Sequence, residues 1–195
     1  MARRGGGSSQ TWKTFLRNHA AGVAAMDFLI VPTVGFKLLF VLVILRHQRR
    51  RLRSLSVTSN PTAEWIARQI TDAFPWDDAP DHLIRDRDGS YGHAVTRGLA
   101  AMGIRDHPTA PRSPWQNGHA ERLIGSIRRE CLDHSVVFGE AHLRRILAAY
   151  AAYYNDTRTH LALAKDAPIH RPINRLGSVF SRPILGGLHH EYCRM

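Results

Sequence analysis

Three carboxylates stand in this chain where apolar or helical backbone would hold them. Asp27 sits inside an apolar run, after Val23-Ala24-Ala25-Met26 and before Phe28-Leu29-Ile30-Val31. Asp86 closes the short run His82-Leu83-Ile84-Arg85, and Glu121 follows the loop from Ser113 to Ala120 and opens a helical stretch. An ionised carboxylate in or at the end of a buried strand is costly unless something cationic meets it. Three that converge repel one another, and a pair of divalent cations is the usual remedy. Taken alone, Asp27 reads as a buried, satisfied aspartate. In company with the other two it points to two-metal phosphoryl transfer, the chemistry of enzymes that cut or join nucleic acid.

The spacing carries a resemblance. Asp27, Asp86 and Glu121, with 34 residues between the last two, look like the D,D-35-E triad of transposases and retroviral integrases. The segment Ser113-Pro114-Trp115-Gln116-Asn117-Gly118-His119-Ala120-Glu121 resembles the S-P-x-x-N-G-x-x-E junction of bacterial insertion-sequence transposases with an integrase core. Downstream, Tyr154-Asn155-Asp156-Thr157-Arg158-Thr159-His160-Leu161-Ala162-Leu163, followed by Pro168, is similar to their Y-N-x-x-R-x-H-x-x-L-x4-P signature. Two motifs in the right order are more specific than an acidic triad, and the resemblance covers roughly residues 11 to 175.

The resemblance implies a ribonuclease-H-like α/β fold, a mixed five-stranded sheet flanked by helices. It implies DNA integration by nicking and strand transfer, with DNA as partner and assembly into a dimer or higher homo-oligomer, since two element ends are joined. The oxygen-only ligand set suits two Mg2+ (or Mn2+) ions. Asp27 would bridge both ions, Asp86 would hold one, and Glu121, behind a loop that can shift, would complete the other when DNA binds. Asp88 is the alternative second ligand, because it directly precedes Gly89 and relatives commonly show D-x-G at this point. Spacing favours Asp86, and Asp88 otherwise reads as a turn carboxylate.

The helix after Glu121 suits a phosphate backbone. Arg128 lies seven residues on and shares the Glu121 face, while Gly125, four residues on, leaves room for close approach. Arg122, Arg128 and Arg129 are expected DNA phosphate contacts, although Arg122 and Arg129 read equally well as a solvated basic face. Trp115, Gln116 and Asn117 are candidate DNA contacts on the neighbouring loop, or braces for it, and Asn117 could cap the helix. Leu143, Ile146, Leu147, Tyr150 and Tyr154 form an apolar stripe of core or subunit interface. Arg158 and His160 either bind DNA or, as we favour, hold the C-terminal segment.

The elements that must position these residues follow from patterning. A strand is expected near Ala21 to Val31, a second over Phe36–Arg46 and a third over Arg51–Val57, the last two paired through the basic turn between them. Asn60-Pro61 predicts a helix start, cap then proline, with Ile66, Ile70 and Phe74 on its apolar face and Pro75 ending it. A strand His82–Asp86, a short helix Ala94–Met102 and a strand near Ile104 complete a strand, hairpin, helix, strand, helix, strand order. The expected organisation is a flexible basic tail over residues 1–12, a catalytic core over 13–175 and an extension over 176–195.

Composition agrees. The 195 residues are 44% hydrophobic, enough for a real core, and carry a net charge of +11. That charge suits a polyanionic partner, or else reflects an Arg-rich proteome. Cys131 and Cys193 are too few and too far apart for a disulfide framework, and a reducing bacterial cytoplasm, at the nucleoid when DNA is bound, is the natural compartment. The apolar stretch Ile30–Leu45, with arginines after it, imitates a membrane span. Pro32, Thr33, Gly35 and Lys37 interrupt it, and it reads better as buried strand. Full-length relatives carry a helix-turn-helix region ahead of the core, whereas 26 residues precede Asp27 here, so the chain looks like a core without its targeting half. A catalytically inactive remnant that binds DNA nonspecifically, and a nuclease for RNA–DNA hybrids, are the competing readings.

Overall fold

The run around Asp27 becomes the middle of a sheet. In the computed structural model, which describes residues 11–172 and 175–194, five strands form one mixed sheet in the order β3-β2-β1-β4-β5. They are β1 (Val23–Pro32), β2 (Leu38–Arg46), β3 (Leu52–Thr58), β4 (His82–Arg85) and β5 (Arg105–Pro108). β1, β2 and β3 run antiparallel in sequence, while β4 pairs parallel with β1 and β5 parallel with β4. Most of the basic tail lies outside the described residues.

Alternation along the strands divides the core into two layers. Ala24, Met26, Leu42 and Ile44 pack under α2 (Ala63–Ala73) and α3 (His93–Ala101). Val23, Ala25, Leu29, Val41, Val43 and Leu45 pack under α4 (Gly118–Glu130) and α5 (Glu140–Ala152). Helices thus flank both sides of a mixed sheet, which is the ribonuclease-H-like α/β architecture. The stripe Leu143, Leu147, Tyr150 and Tyr154 is buried in this second layer, so it is core. β2 is buried on both faces from Val41 to Leu45. Among the described residues no helix is long and apolar enough to cross a membrane.

Three elements differ from expectation. α2 begins after Thr62, whose hydroxyl accepts from the Trp65 amide at 3.2 Å, and not at Asn60-Pro61. The Asn60 carbonyl is engaged by the Thr62 amide, so Asn60 and Pro61 form the approach to the helix. Residues Trp12–Asn18, where no element was expected, form the short helix α1, capped by Thr11. After α5, residues 179–184 and 189–194 form an antiparallel hairpin, β6 and β7. His189 fixes it to the core by donating from Nε2 to the Glu130 carbonyl at 2.7 Å and stacking on Tyr153.

Candidate active site

Strand register brings the first two acids level. Ala25 pairs with Ile84 across the parallel β1–β4 pair. Two residues further on each strand come Asp27 and Asp86, both in phase with side chains that point toward α4. Asp88 lies two residues beyond that level. Asp27, midway along β1, and Asp86, just after β4, therefore lie level just beyond the end of the β1–β4 pairing. Glu121 enters from the first turn of α4. Asp27, Asp86 and Glu121 together line one cleft of about 410 Å³, and Asp88 is not among its walls. Asp88 instead accepts hydrogen bonds from the amide and hydroxyl of Ser90 at 2.7 and 2.6 Å, a local turn carboxylate.

The acids of the cleft act on one another. Burial pushes the Asp27 carboxyl up from 3.8 to about 7, opposed by the Phe28 amide and aided by the charges of Asp86, Glu121 and Asp88. Such a group keeps its proton to near neutral pH. The donors are all carboxylate oxygens, which suit a hard divalent cation. Among the described residues, no three His, Cys, Asp or Glu stand close enough to hold an ion as placed.

Neighbouring side chains stiffen the backbone around Asp27 and Asp86. Arg85 forms a two-pronged pair with Asp106 at 2.9 and 2.7 Å, donates to the Asp86 carbonyl at 3.2 Å and lies over the Tyr91 ring. Asn117 is buried, and its Nδ2 donates to the Met26 carbonyl at 3.1 Å and to Asp27 Oδ2 at 3.3 Å. It makes no helix cap; it ties the loop to the strand that bears Asp27. The patterning of the sequence gave no sign of either link, because each depends on residues brought together from distant segments.

The expected DNA contacts are spread around the site. Gln116 accepts from the Ala110 amide at 2.7 Å, whereas Trp115 is two-thirds exposed. Arg128 is exposed and reaches the Ile30 carbonyl at 3.4 Å. The Arg129 guanidinium lies over Gly125, 3.0 Å from where a Cβ would stand, so the space expected there for DNA is occupied by a cation. Arg122 faces a different cleft, apart from the carboxylates. Two further arginines, Arg87 and Arg112, line the carboxylate cleft itself. The paired Arg-Asp-Arg-Asp run was the one visible sign of Arg87. Arg158 holds both oxygens of Glu130 at 2.7 and 2.5 Å.

Comparison with known proteins agrees with this arrangement. Residues 102–168 match the integrase core domain family. Over 133 residues the chain is 33% identical to an uncharacterised 31.7 kDa protein of insertion element IS407 from Burkholderia multivorans, across 61% of this chain and 48% of that protein. The chain thus spans about half the length of that relative. The catalytic core of HTLV-2 integrase in complex with magnesium superposes with a TM-score of 0.58 at 11% identity, covering 77% of this chain and 95% of that one. The catalytic domain of the Mos1 mariner transposase gives 0.59 at 14% identity, covering 78% and 85%. A chain of the simian T-cell lymphotropic virus intasome gives 0.63 at 12% identity, covering 89% and 66%. The segment 102–168, which runs through α4, is thus similar to the integrase core domain family, and the chain has the ribonuclease-H-like fold seen in integrase and transposase catalytic cores.

Proposed function

We propose that this chain is a DNA strand-transferring polynucleotidyl transferase, acting in DNA integration by in-line phosphoryl transfer. The observation that carries the reading is the single cleft walled by Asp27, Asp86 and Glu121 and flanked by Arg87 and Arg112. An inactive remnant has no need to keep all three acids in one cleft. Asp27, Asp86 and Glu121 would hold two Mg2+ or Mn2+ ions, which when bound supply positive charge at the attacking and leaving oxygens. Asn117 fixes the orientation of Asp27 through its amide. Glu121 follows the loop 113–117, and a small shift of that loop on DNA binding would bring its carboxylate toward Asp27 and Asp86. The Arg87 and Arg112 guanidiniums bind the phosphates on either side of the scissile one. A water or 3′-hydroxyl oxygen bonds to phosphorus as the bond to the leaving 3′ oxygen breaks. Arg128, Arg129 and Trp115 lie outside the cleft, where they extend the contact along DNA. The chain assembles at least as a dimer, because two DNA ends must be joined.

Nicking of supercoiled plasmid in Mg2+ or Mn2+ tests the assignment and separates Asp86 from Asp88. Asp86→Asn and Glu121→Gln are expected to reduce nicking by at least about a hundredfold, the scale of losing one preorganised charge-stabilising group. Asp88→Asn is expected to stay within about threefold, under about 1 kcal/mol of barrier. Full nicking by Asp86→Asn together with loss in Asp88→Asn would move the second ligand to Asp88. Full nicking by Glu121→Gln would sink the three-carboxylate site.

A further inference from the structure

A second cleft, of about 380 Å³, shares no wall residue with the carboxylate cleft. It lies against the flank of α4 that carries His119, Arg122 and Ser126, and is closed by Arg50 from the β2–β3 turn and by Arg158 and His160. No Asp or Glu lines it. We propose that this cleft is a phosphate-binding site, and that it takes a DNA backbone phosphate outside the active site. The choice of DNA as the source rests on the function proposed above; the phosphate chemistry does not.

Charge accounting identifies the groups that bind. Arg158 is already paired with Glu130, so its charge is largely offset and it serves as a wall. Neither the Arg50 nor the Arg122 guanidinium has a carboxylate partner among the described residues. Both line the cleft together with His119 and Ser126. Burial, Arg158 and Arg50 lower His160 to about 4. The His160 ring is engaged by Arg158 and by the Tyr154 backbone, so it too serves as a wall. Two forked guanidiniums, with the Ser126 hydroxyl in the same wall, match the oxygens of a phosphate, which they can bind two at a time.

The backbone at Arg50 supports a role beyond the turn. Arg49 and Arg50 both lie in the left-handed region, at φ 51° and 56°. Tight hairpins of this kind favour glycine or asparagine there. Arg49 uses its side chain to anchor the C-terminal segment, donating to Asp166 at 2.6 Å and to the carbonyls of Ala167 and Pro168. Arg50 has no such structural use, although its backbone is equally unfavourable. Arg122 adjoins Glu121 on α4, so a strand held by its phosphate here is led past the carboxylates.

Calorimetric titration of the full chain with inorganic phosphate, and anisotropy with a short DNA duplex at several salt concentrations, test the site on Arg50→Gly and Arg122→Gln. Wild type is expected to bind phosphate and both variants to weaken it at least about tenfold, the scale of one lost charge-assisted bond. Arg50→Gly is expected to unfold no earlier than wild type, because glycine accepts the left-handed turn; lost binding then cannot be ascribed to lost folding. In DNA each variant is expected to flatten the salt dependence by about one phosphate contact. Phosphate binding unchanged in both variants, or absent from wild type, overturns the site. Phosphate binding lost with an unaltered DNA salt slope overturns DNA as the source and leaves free phosphate as the ligand. Absence of metal-dependent nicking, with these results otherwise as expected, counts against the proposed activity alone.

Discussion

Asp27→Asn is expected to abolish metal-dependent nicking while leaving the metal-free protein more stable than wild type at neutral pH. The two effects share one cause. Asp27 occupies the central strand, and burial with three nearby carboxylates raises its folded value from 3.8 to about 7. Below pH 3.8 the carboxyl is protonated in both folded and unfolded chains, and its environment exacts no penalty. Between 3.8 and about 7 the unfolded chain releases the proton and the folded chain retains it, so stability falls as pH rises. Above about 7 the penalty is complete. At about 1.4 kcal/mol per tenfold its upper bound is roughly 4 kcal/mol. Asparagine removes this penalty but offers one acceptor where Asp27 satisfies both the Phe28 amide and Asn117. A net gain of about 1–2 kcal/mol near pH 8 is therefore expected. Urea unfolding in chelator from about pH 4 to 8 would show the variant gaining on wild type across that window. A variant less stable than wild type at every pH would mean that the hydrogen bonds outweigh burial. Mg2+ should raise the unfolding midpoint of wild type only, and more so as pH rises, since proton and cation compete for the same oxygens.

What made this site legible was the contrast between a charged residue and its apolar flanks. Asp27 and Asp86 each interrupt or end a strand-like run, and parallel register carries them to one level. Glu121 could be read because the loop before it and the helix after it have distinct composition. Other features left no such mark. β5, Arg105-Asp106-His107-Pro108, is an edge strand with no apolar alternation, so only Ile104 before it hinted at its place. The start of α2 was ambiguous because Asn60-Pro61 and Thr62 both offer capping chemistry within three residues. Asn117 looked like a loop residue free to cap or to contact DNA, and only the fold brings it under Met26 and Asp27. The space over Gly125 was a sound inference from helical spacing, but spacing cannot say that Arg129 folds back to fill it. Local pattern thus reveals where charges sit on elements, and packing decides which of them remain available.

The same distinction governs Arg158, where a basic residue in a signature motif is consumed by structure. Arg158→Ala is expected to destabilise the fold by about 2–3 kcal/mol near pH 7, because it leaves a half-buried carboxylate without its partner. Glu130 stands at the end of α4, and both its oxygens accept from Arg158 while Oε2 also accepts from Tyr150. Arg158 lies over the Tyr154 ring, which packs against His160, so the pair connects α4, α5 and the segment after it. Each side chain of the pair is only 23% exposed, so solvent screening reduces the interaction without removing it. The Arg158 and Tyr150 hydrogen bonds and the Arg158 charge hold Glu130 below its ordinary 4.5, against burial. Its contribution is therefore complete above 4.5 and is lost as pH falls through the lower folded value. The cost of Arg158→Ala should shrink correspondingly in acid. A double-mutant cycle with Glu130→Ala, followed by urea unfolding, is expected to give a coupling of about 1–2 kcal/mol at neutral pH. A coupling near zero, with wild-type stability in Arg158→Ala, would free Arg158 from the fold and return it to the pool of residues available to DNA.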